Sequence, residues 1–274
     1  MSAIHPTAPA DAYTPVPLLQ GKVIVISGVG PGLGHALATE AARMGATLIL
    51  AARTEQRLKH LAEEIRQLGA EATTITADIT DEQQRTHLAE HALHAYGRID
   101  CLINNAFAIP PMHPITQIEL DDLRKVNETN VFAPLRLSTL FADALETTRG
   151  SIIMLNSCVA YSSQPEYSGY KLSKGTLAHL ASSLATELGP RGIRVNSIAP
   201  SYVYEDINKA YFDWLAGQAG VDHAEIYRRK AEPTDLKRLA GPEEVARATL
   251  FLASDLATAI TGQMLTVDCG EFHR

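Results

Sequence analysis

The stretch Val23-Ile-Val-Ile-Ser-Gly-Val-Gly-Pro-Gly-Leu-Gly34 carries the decision about the fold. Its first half is a β-branched run of strand length with no polar alternation, the pattern of a strand covered on both faces, as in a parallel sheet. Its second half has glycine at every other position, and Leu33 then opens a segment with helical spacing. Glycines let the backbone turn sharply and let an anion such as a pyrophosphate approach the N–H groups of a helix start. The spacing is not G-x-G-x-x-G, because Leu33 stands where the third glycine belongs. It fits Gly28-x-x-x-Gly32-x-Gly34.

Outward from this turn the same rhythm repeats. Strand candidates are Val23–Ser27, Thr47–Leu50, Ala72–Thr76, Ile99–Asn104, Ser151–Asn156, Arg194–Ala199 and Met264–Val267. Between them lie helical segments such as Leu33–Met44, Thr54–Leu68 and Asp81–Tyr96. Apolar runs flanked by helices predict a doubly wound α/β fold, a parallel sheet with helices on both faces, in one domain over 21–274. Residues 1–20, with Pro6, Pro9, Pro15 and Pro17, read as an extended arm outside the core. One interval breaks the rhythm. Residues 201–241 are too many for a connection and include Tyr202, Tyr204, Tyr211, Phe212, Trp214 and Tyr227. At the carboxyl edge of a parallel sheet such a segment suits a substrate lid, a role compatible with a satellite helical pair that packs its aromatics inward.

Composition narrows the function classes. The chain has 274 residues and a formal net charge of −7, which argues against a nucleic-acid surface despite the basic run Arg228-Arg229-Lys230. Three scattered cysteines, Cys101, Cys158 and Cys269, suit reduced thiols in a cytoplasm and offer neither metal spacing nor a disulfide framework. No apolar stretch approaches the ~20 residues of a membrane helix, and the N-terminus lacks the pattern of a signal peptide.

Glu166-Tyr-Ser-Gly-Tyr-Lys-Leu-Ser-Lys174 contains one spacing twice: Tyr167 precedes Lys171, and Tyr170 precedes Lys174, as i, i+4 neighbours. A tyrosine with a pKa of ~10 needs help to exchange a proton near neutrality. An ammonium about 4 Å away contributes ~4 kcal/mol at an effective dielectric of 20, enough to lower a phenol by up to about 3 units. Helical phase separates the pairs. Tyr170 and Lys174 continue into Leu177, Ala181, Leu184 and Leu188, a stripe that would face the sheet. Tyr167 and Lys171 continue into Ala178, Ser182, Ala185 and Gly189, a small-residue stripe.

Taken in order, the Gly28/Gly32/Gly34 turn, Asn104-Asn105-Ala106, Ser157, Tyr170-x-x-x-Lys174 and Ile198-Ala-Pro200 resemble the short-chain dehydrogenase/reductase family, from about Gly21 to Gly270. The resemblance implies a seven-stranded Rossmann-type sheet, a nicotinamide cofactor, hydride transfer between a secondary alcohol and a ketone, and a homotetramer or homodimer. The family's serine lies thirteen positions before its tyrosine; that count back from Tyr170 reaches Ser157, and from Tyr167 reaches Met154. Tyr170 is then the acid–base residue, Lys174 its partner and a ribose ligand, and Ser157 a donor to the substrate oxygen. Cofactor contacts carry over to Gly28, Gly32, Leu33, Gly34, Asp78, Ile79, Asn105, Ala106, Tyr170, Lys174, Pro200 and Val203. Departures from the family pattern are Phe107, Ser201 and Cys269 at glycine positions and Glu205 at the place of a threonine.

Three expectations go further. The second strand ends Leu50-Ala-Ala-Arg53 with no acid before Glu55, so Arg53 would fork onto a 2′-phosphate and favour NADP(H) over NAD(H). Phe107, Ile109, Pro110, Met112 and the lid aromatics would line an apolar cleft for a bulky alicyclic or steroid-like substrate. A 3-oxoacyl thioester, its arm received by Arg228, Arg229 and Lys230, is the alternative. A silent cofactor-binding sensor is a third reading, disfavoured because Ser157, Tyr170 and Lys174 are all present. Finally, Asn130-Val-Phe-Ala-Pro134 resembles the family segment that supplies a fourth catalytic residue. Pro134 has no N–H to give the Asn130 carbonyl, so a break in the helix and a water on that carbonyl, linked to Lys174, are expected. Asn127 has no such relation to the proline.

Overall fold

A computed structural model describes residues 15–273. Seven parallel strands form one sheet in the order β3-β2-β1-β4-β5-β6-β7. They are β1 (Val23–Ser27), β2 (Thr47–Ala52), β3 (Ala72–Thr76), β4 (Cys101–Asn104), β5 (Ser151–Leu155), β6 (Arg194–Pro200) and β7 (Met264–Val267). Along β1, Ile24 and Ile26 enter one core and Val23 and Val25 the other, as the two-residue period of a strand requires. The first core is closed by α1 (Leu33–Arg43), α2 (Glu55–Gln67) and α9 (Pro242–Ala253). The second is closed by α3 (Glu82–Tyr96), α5 (Ala133–Thr148) and α6 (Ser168–Leu188). Helix α4 (Leu120–Asn127) precedes α5. The doubly wound architecture is the one the apolar runs predict.

Strand order reverses between β1 and β4. Connections leaving their carboxyl ends diverge to opposite faces there and open a crevice above the sheet edge. Backbone bonds close the floor of that crevice: the Asn105 and Ala106 N–H groups both reach Ser27 O, at 3.0 and 2.9 Å.

Several sequence expectations are corrected. Residues 15–20 are not an arm outside the core, because Leu19 is completely buried in the first core and its N–H reaches Met44 O at 2.9 Å. Residues 1–14 lie outside the described part. Strand β4 begins at Cys101 rather than Ile99; the buried Asp100 carboxylate accepts the Val23 N–H at 2.9 Å and pairs with Arg98. Segment 201–241 is built on α7 (Asp206–Ala219) and α8 (His223–Ala231) and returns to the sheet edge through a bridge between Val203 and Ala240. Its aromatics divide. Phe212 and Tyr227 are buried with Ile226 and Leu239 in a satellite core, whereas Trp214 is 58% exposed and stacks on Tyr211.

The break at Pro134 takes a specific form. Glu128–Phe132 is a π-helical turn, with α5 starting at Ala133 and Pro134 in its first turn. A proline there has no N–H to lose from the ladder. The wider turn is braced by Arg85 of α3, buried and bonded to Glu128 at 3.0 Å. π turns of this kind are frequent at functional sites.

Candidate active site

Two clefts open at the reversal point and share Leu33, Asn105, Phe107, Glu205 and Ile207 as lining. The first, of about 470 Å³, is bounded by the glycine turn, the ends of β2 and β3, and Asn105-Ala106. Each glycine of the turn has its own reason. Gly28 has φ +90°, and a Cβ there would lie 2.5 Å from the Ala106 N and Cα atoms. A Cβ at Gly34 would lie 2.7 Å from Gly28 O. The Asn105 amide locks this packing by donating to Gly28 O at 2.6 Å.

Gly32 has φ +79°, and a Cβ there would run into the Glu205 carboxylate, whose Oε2 accepts the Leu33 N–H at 2.7 Å. A carboxylate oxygen therefore already occupies the N–H and the space at the start of α1 that a phosphate oxygen would use. Burial raises the Glu205 carboxyl above the usual range, opposed by the Leu33 N–H. At the other end of this cleft, Arg53 and Asp78 face each other near Ile79. The Asp78 carboxyl is held low, chiefly by the Thr80 N–H, with Arg53 and Arg85 contributing. Arg57 lines the same end. The sequence reading missed it: Arg53 lies before the N-cap Thr54 of α2 and Arg57 in its first turn, so no helical spacing links the two.

The second cleft, of about 380 Å³, collects Ser157, Tyr170, Lys174, Pro200 and Val203 along one wall. Phe107, Ile109 and Met112 line it as expected. Pro110 does not: it is buried against α6, where a Cβ on Gly169 would come within 3.1 Å of it. Tyr202 and Tyr211 are the aromatics of segment 201–241 that reach this cleft, together with Tyr167. Tyr167 and Tyr202 share a hydrogen bond of 3.0 Å, and Lys230 donates to Tyr202 at 3.2 Å. Tyr167 is thus a cleft residue, but its lysine is elsewhere: Lys171 donates to Ser163 at 2.5 Å. Phase explains the difference. Lys174, Leu177, Ala181 and Leu184 form the buried stripe of α6.

Lys174 is 2% exposed and donates to Leu155 O at 2.7 Å. Its Nζ lies 5.7 Å from the centre of the Tyr170 ring and 5.9 Å from that of Phe107. Burial pushes Lys174 down to about 7 and raises the Tyr170 phenol above its ordinary value. The expected acidification of Tyr170 by an ammonium is therefore not present in the free protein. Both groups have lost water, and a lysine that readily sheds its proton exerts little field on its neighbour. Ser157, two residues past β5, is extended and caps the short turn Cys158–Ala160, with Oγ accepting the Val159 N–H at 3.2 Å while its own N–H is held by Asn156.

Asn130 is buried behind this wall rather than in a cleft. Its side chain accepts from Ala108 N at 2.7 Å and donates to Ala108 O at 2.9 Å and to Ser173 Oγ at 3.0 Å. This clamp of the loop carrying Phe107 was not foreseen. Asn127 turns to its own helix, donating to Leu123 O. Cys269, at a family glycine, keeps a glycine-like backbone with φ 55°. Among the described residues no cluster of three or more potential metal ligands forms, and no helix is long and apolar enough to cross a membrane.

A family model described as enoyl-(acyl carrier protein) reductase matches residues 28–271. The chain belongs to the short-chain dehydrogenase/reductase family. It is an NAD(P)-dependent oxidoreductase of the alcohol dehydrogenase and ketone reductase kind. It is 34% identical to 7alpha-hydroxysteroid dehydrogenase of Escherichia coli (strain K12), over 92% of this chain and 94% of that protein. It is 33% identical to glucose 1-dehydrogenase of Gluconobacter oxydans, over 91% of each. A solved structure of 7 alpha-hydroxysteroid dehydrogenase complexed with NADH and 7-oxo glycochenodeoxycholic acid superposes with a TM-score of 0.82, at 34% identity over 92% of this chain and 94% of that one.

Proposed function

We propose that this protein reduces, or in reverse forms, a ketone on a bulky alicyclic or steroid-like molecule, with Tyr170, Ser157, Lys174 and Asn130 as its catalytic set and NADP(H) as its preferred cofactor. The carrying observation is the convergence of Tyr170, Lys174 and Ser157 on one largely apolar cleft that is continuous with the glycine-turn cleft. The bound nicotinamide supplies or accepts the hydride. Gly28, Gly32, Leu33 and Gly34 are suited to its phosphates, Asp78 and Ile79 to its adenine end, and Asn105, Ala106, Pro200 and Val203 to the inner end of the cleft.

The chain's own part is proton handling. Ser157 Oγ can donate its proton to a carbonyl oxygen while one of its lone pairs accepts the Val159 N–H. A phenol raised by burial stays protonated, which suits Tyr170 to giving its proton to that oxygen as hydride reaches the carbon. The phenolate that results is the anion for which a protonated Lys174 is the counterion. The lysine's influence thus belongs to the charged state of the tyrosine, not to the resting one. Asn130 keeps Phe107 in position through Ala108 and steadies α6 through Ser173, with its backbone carbonyl at the π turn as the proposed water site.

Arg53 and Arg57 at the ribose end, with no acid at the end of β2, support NADP(H). The named hydroxysteroid relative supports a steroid-like substrate. The second reading, a 3-oxoacyl thioester, draws on the description of the family model. Its basic run is divided, however: Arg228 and Arg229 are paired with Glu225, and Lys230 faces Tyr202. Segment 201–241 is proposed as the lid. Exposed Leu120, Phe132, Leu135 and Leu172 support assembly into a homo-oligomer. Cofactor absorbance followed over a panel of cyclic ketones and acyl thioesters, with NADPH and NADH, tests the whole. Turnover of thioesters alone would reverse the order of the two readings, and no turnover of either class would refute both.

A further inference from the structure

Helix α1 begins without a side-chain cap: Gly32 is its N-cap residue, and no acid stands in its first turn. The free N–H groups at such an end need an outside acceptor. The Leu33 N–H has found one in Glu205, 172 positions away in sequence, at the residue immediately before α7. The carboxylate lies over Gly32 in the space a side chain there would fill. Its charged neighbours on its own element are Asp206 and Lys209, which pair with each other at 3.2 Å. Glu205 itself forms no ion pair among the described residues.

A phosphate oxygen bound at this turn needs the same N–H and the same space. Two anions in contact at one helix end also repel. We infer that Glu205 is a resident anion of the cofactor turn, pinning the start of α7 to α1 in the free protein, and that cofactor binds only by displacing it. This inference rests on the cofactor site proposed above. It makes Glu205 a determinant of cofactor affinity and joins the two clefts mechanically. Displacement moves the N-cap of α7, and with it Ile207, Asn208 and Tyr211, which line the substrate cleft. The substrate cleft then takes its working shape after the cofactor has entered.

The test is equilibrium titration of NADPH, and separately NADH, into the full chain and into Glu205→Gln and Glu205→Thr. Binding is read from Trp214, the chain's single tryptophan, and from nicotinamide fluorescence. Hydrogen exchange at the Leu33 amide is followed in the free proteins. Glu205→Gln keeps an oxygen for Leu33 and loses only the charge, so it should bind about tenfold tighter, the difference between a charge-assisted and a neutral hydrogen bond. Glu205→Thr should gain at least as much and exchange Leu33 faster. Equal or weaker binding by both variants, with the unaltered protein still binding cofactor, would overturn the displacement and leave the cofactor reading standing. Unchanged Leu33 exchange in Glu205→Thr would do the same. If none of the three binds either nucleotide, the cofactor reading fails and the inference with it. Should Glu205→Thr fail to fold, Glu205→Gln decides alone.

Discussion

Replacing Lys174 with methionine turns the burial of one ammonium into a measurable dependence of stability on pH. Lys174 is buried and its pKa is depressed from 10.5 to about 7. A base whose folded pKa lies below its unfolded one is a burden on the fold at low pH. The burden is constant below about 7 and shrinks as pH rises through the window up to 10.5, where the unfolded chain still holds a proton that the folded one has shed. At roughly 1.4 kcal/mol per pH unit, the lysine costs on the order of 4 kcal/mol near pH 7 and between 1 and 2 near pH 9.5. The unaltered protein should therefore gain roughly 3 kcal/mol on Lys174→Met between those two pH values. The lost hydrogen bond to Leu155 adds a constant offset that does not affect this difference. Urea unfolding of both proteins at the two pH values measures it directly, because other titrating groups cancel in the subtraction. A stability gap that is the same at pH 7 and pH 9.5 would show that Lys174 titrates normally in the fold and would refute the argument.

Tyr170→Phe should lower kcat by a factor of about 100 or more with cofactor affinity nearly intact, while Lys171→Ala, whose lysine faces Ser163, should be close to neutral; steady-state kinetics that inverted the two would reverse the choice of register. Removing both Arg53 and Arg57 should weaken NADPH by roughly tenfold and leave NADH nearly unchanged, as read by titration, if their guanidinium groups meet a 2′-phosphate. Gly28→Ala should cost several kcal/mol or prevent folding, since its Cβ would meet the Ala106 backbone at 2.5 Å with φ at +90°. Cys269→Gly should raise stability by about 1 kcal/mol in thermal unfolding, because it relieves an L-residue held at φ 55°.

The Tyr170/Lys174 choice shows how far local information reaches. Both pairs share one spacing, and the phase of the apolar stripe into Leu177, Ala181 and Leu184 separates them before any fold is known. The structure has the same stripe buried. What phase could not supply is the state of the pair. A Coulomb estimate for two groups in contact assumes a charged lysine, and that assumption fails where the fold removes water from both. Pro134 behaves similarly. Its missing N–H announces a break in the helix, but not that the break is a π turn whose first residue, Glu128, is held by Arg85 of α3, 43 positions earlier.

Periodicity and glycine spacing by themselves determined the parallel doubly wound sheet, six of the seven strand starts and the order of the site residues along the chain. These are local properties: the stiffness of β-branched runs, the room a glycine leaves, the pitch of a helix. Only the tertiary structure decided that Leu19 belongs to the core, that Pro110 lies under α6 while Tyr167 enters the cleft, and that Asn130 clamps Ala108. It alone brought Glu205 to the Leu33 N–H. Burial and through-space contact depend on where distant segments meet, and no window along the chain contains that distance.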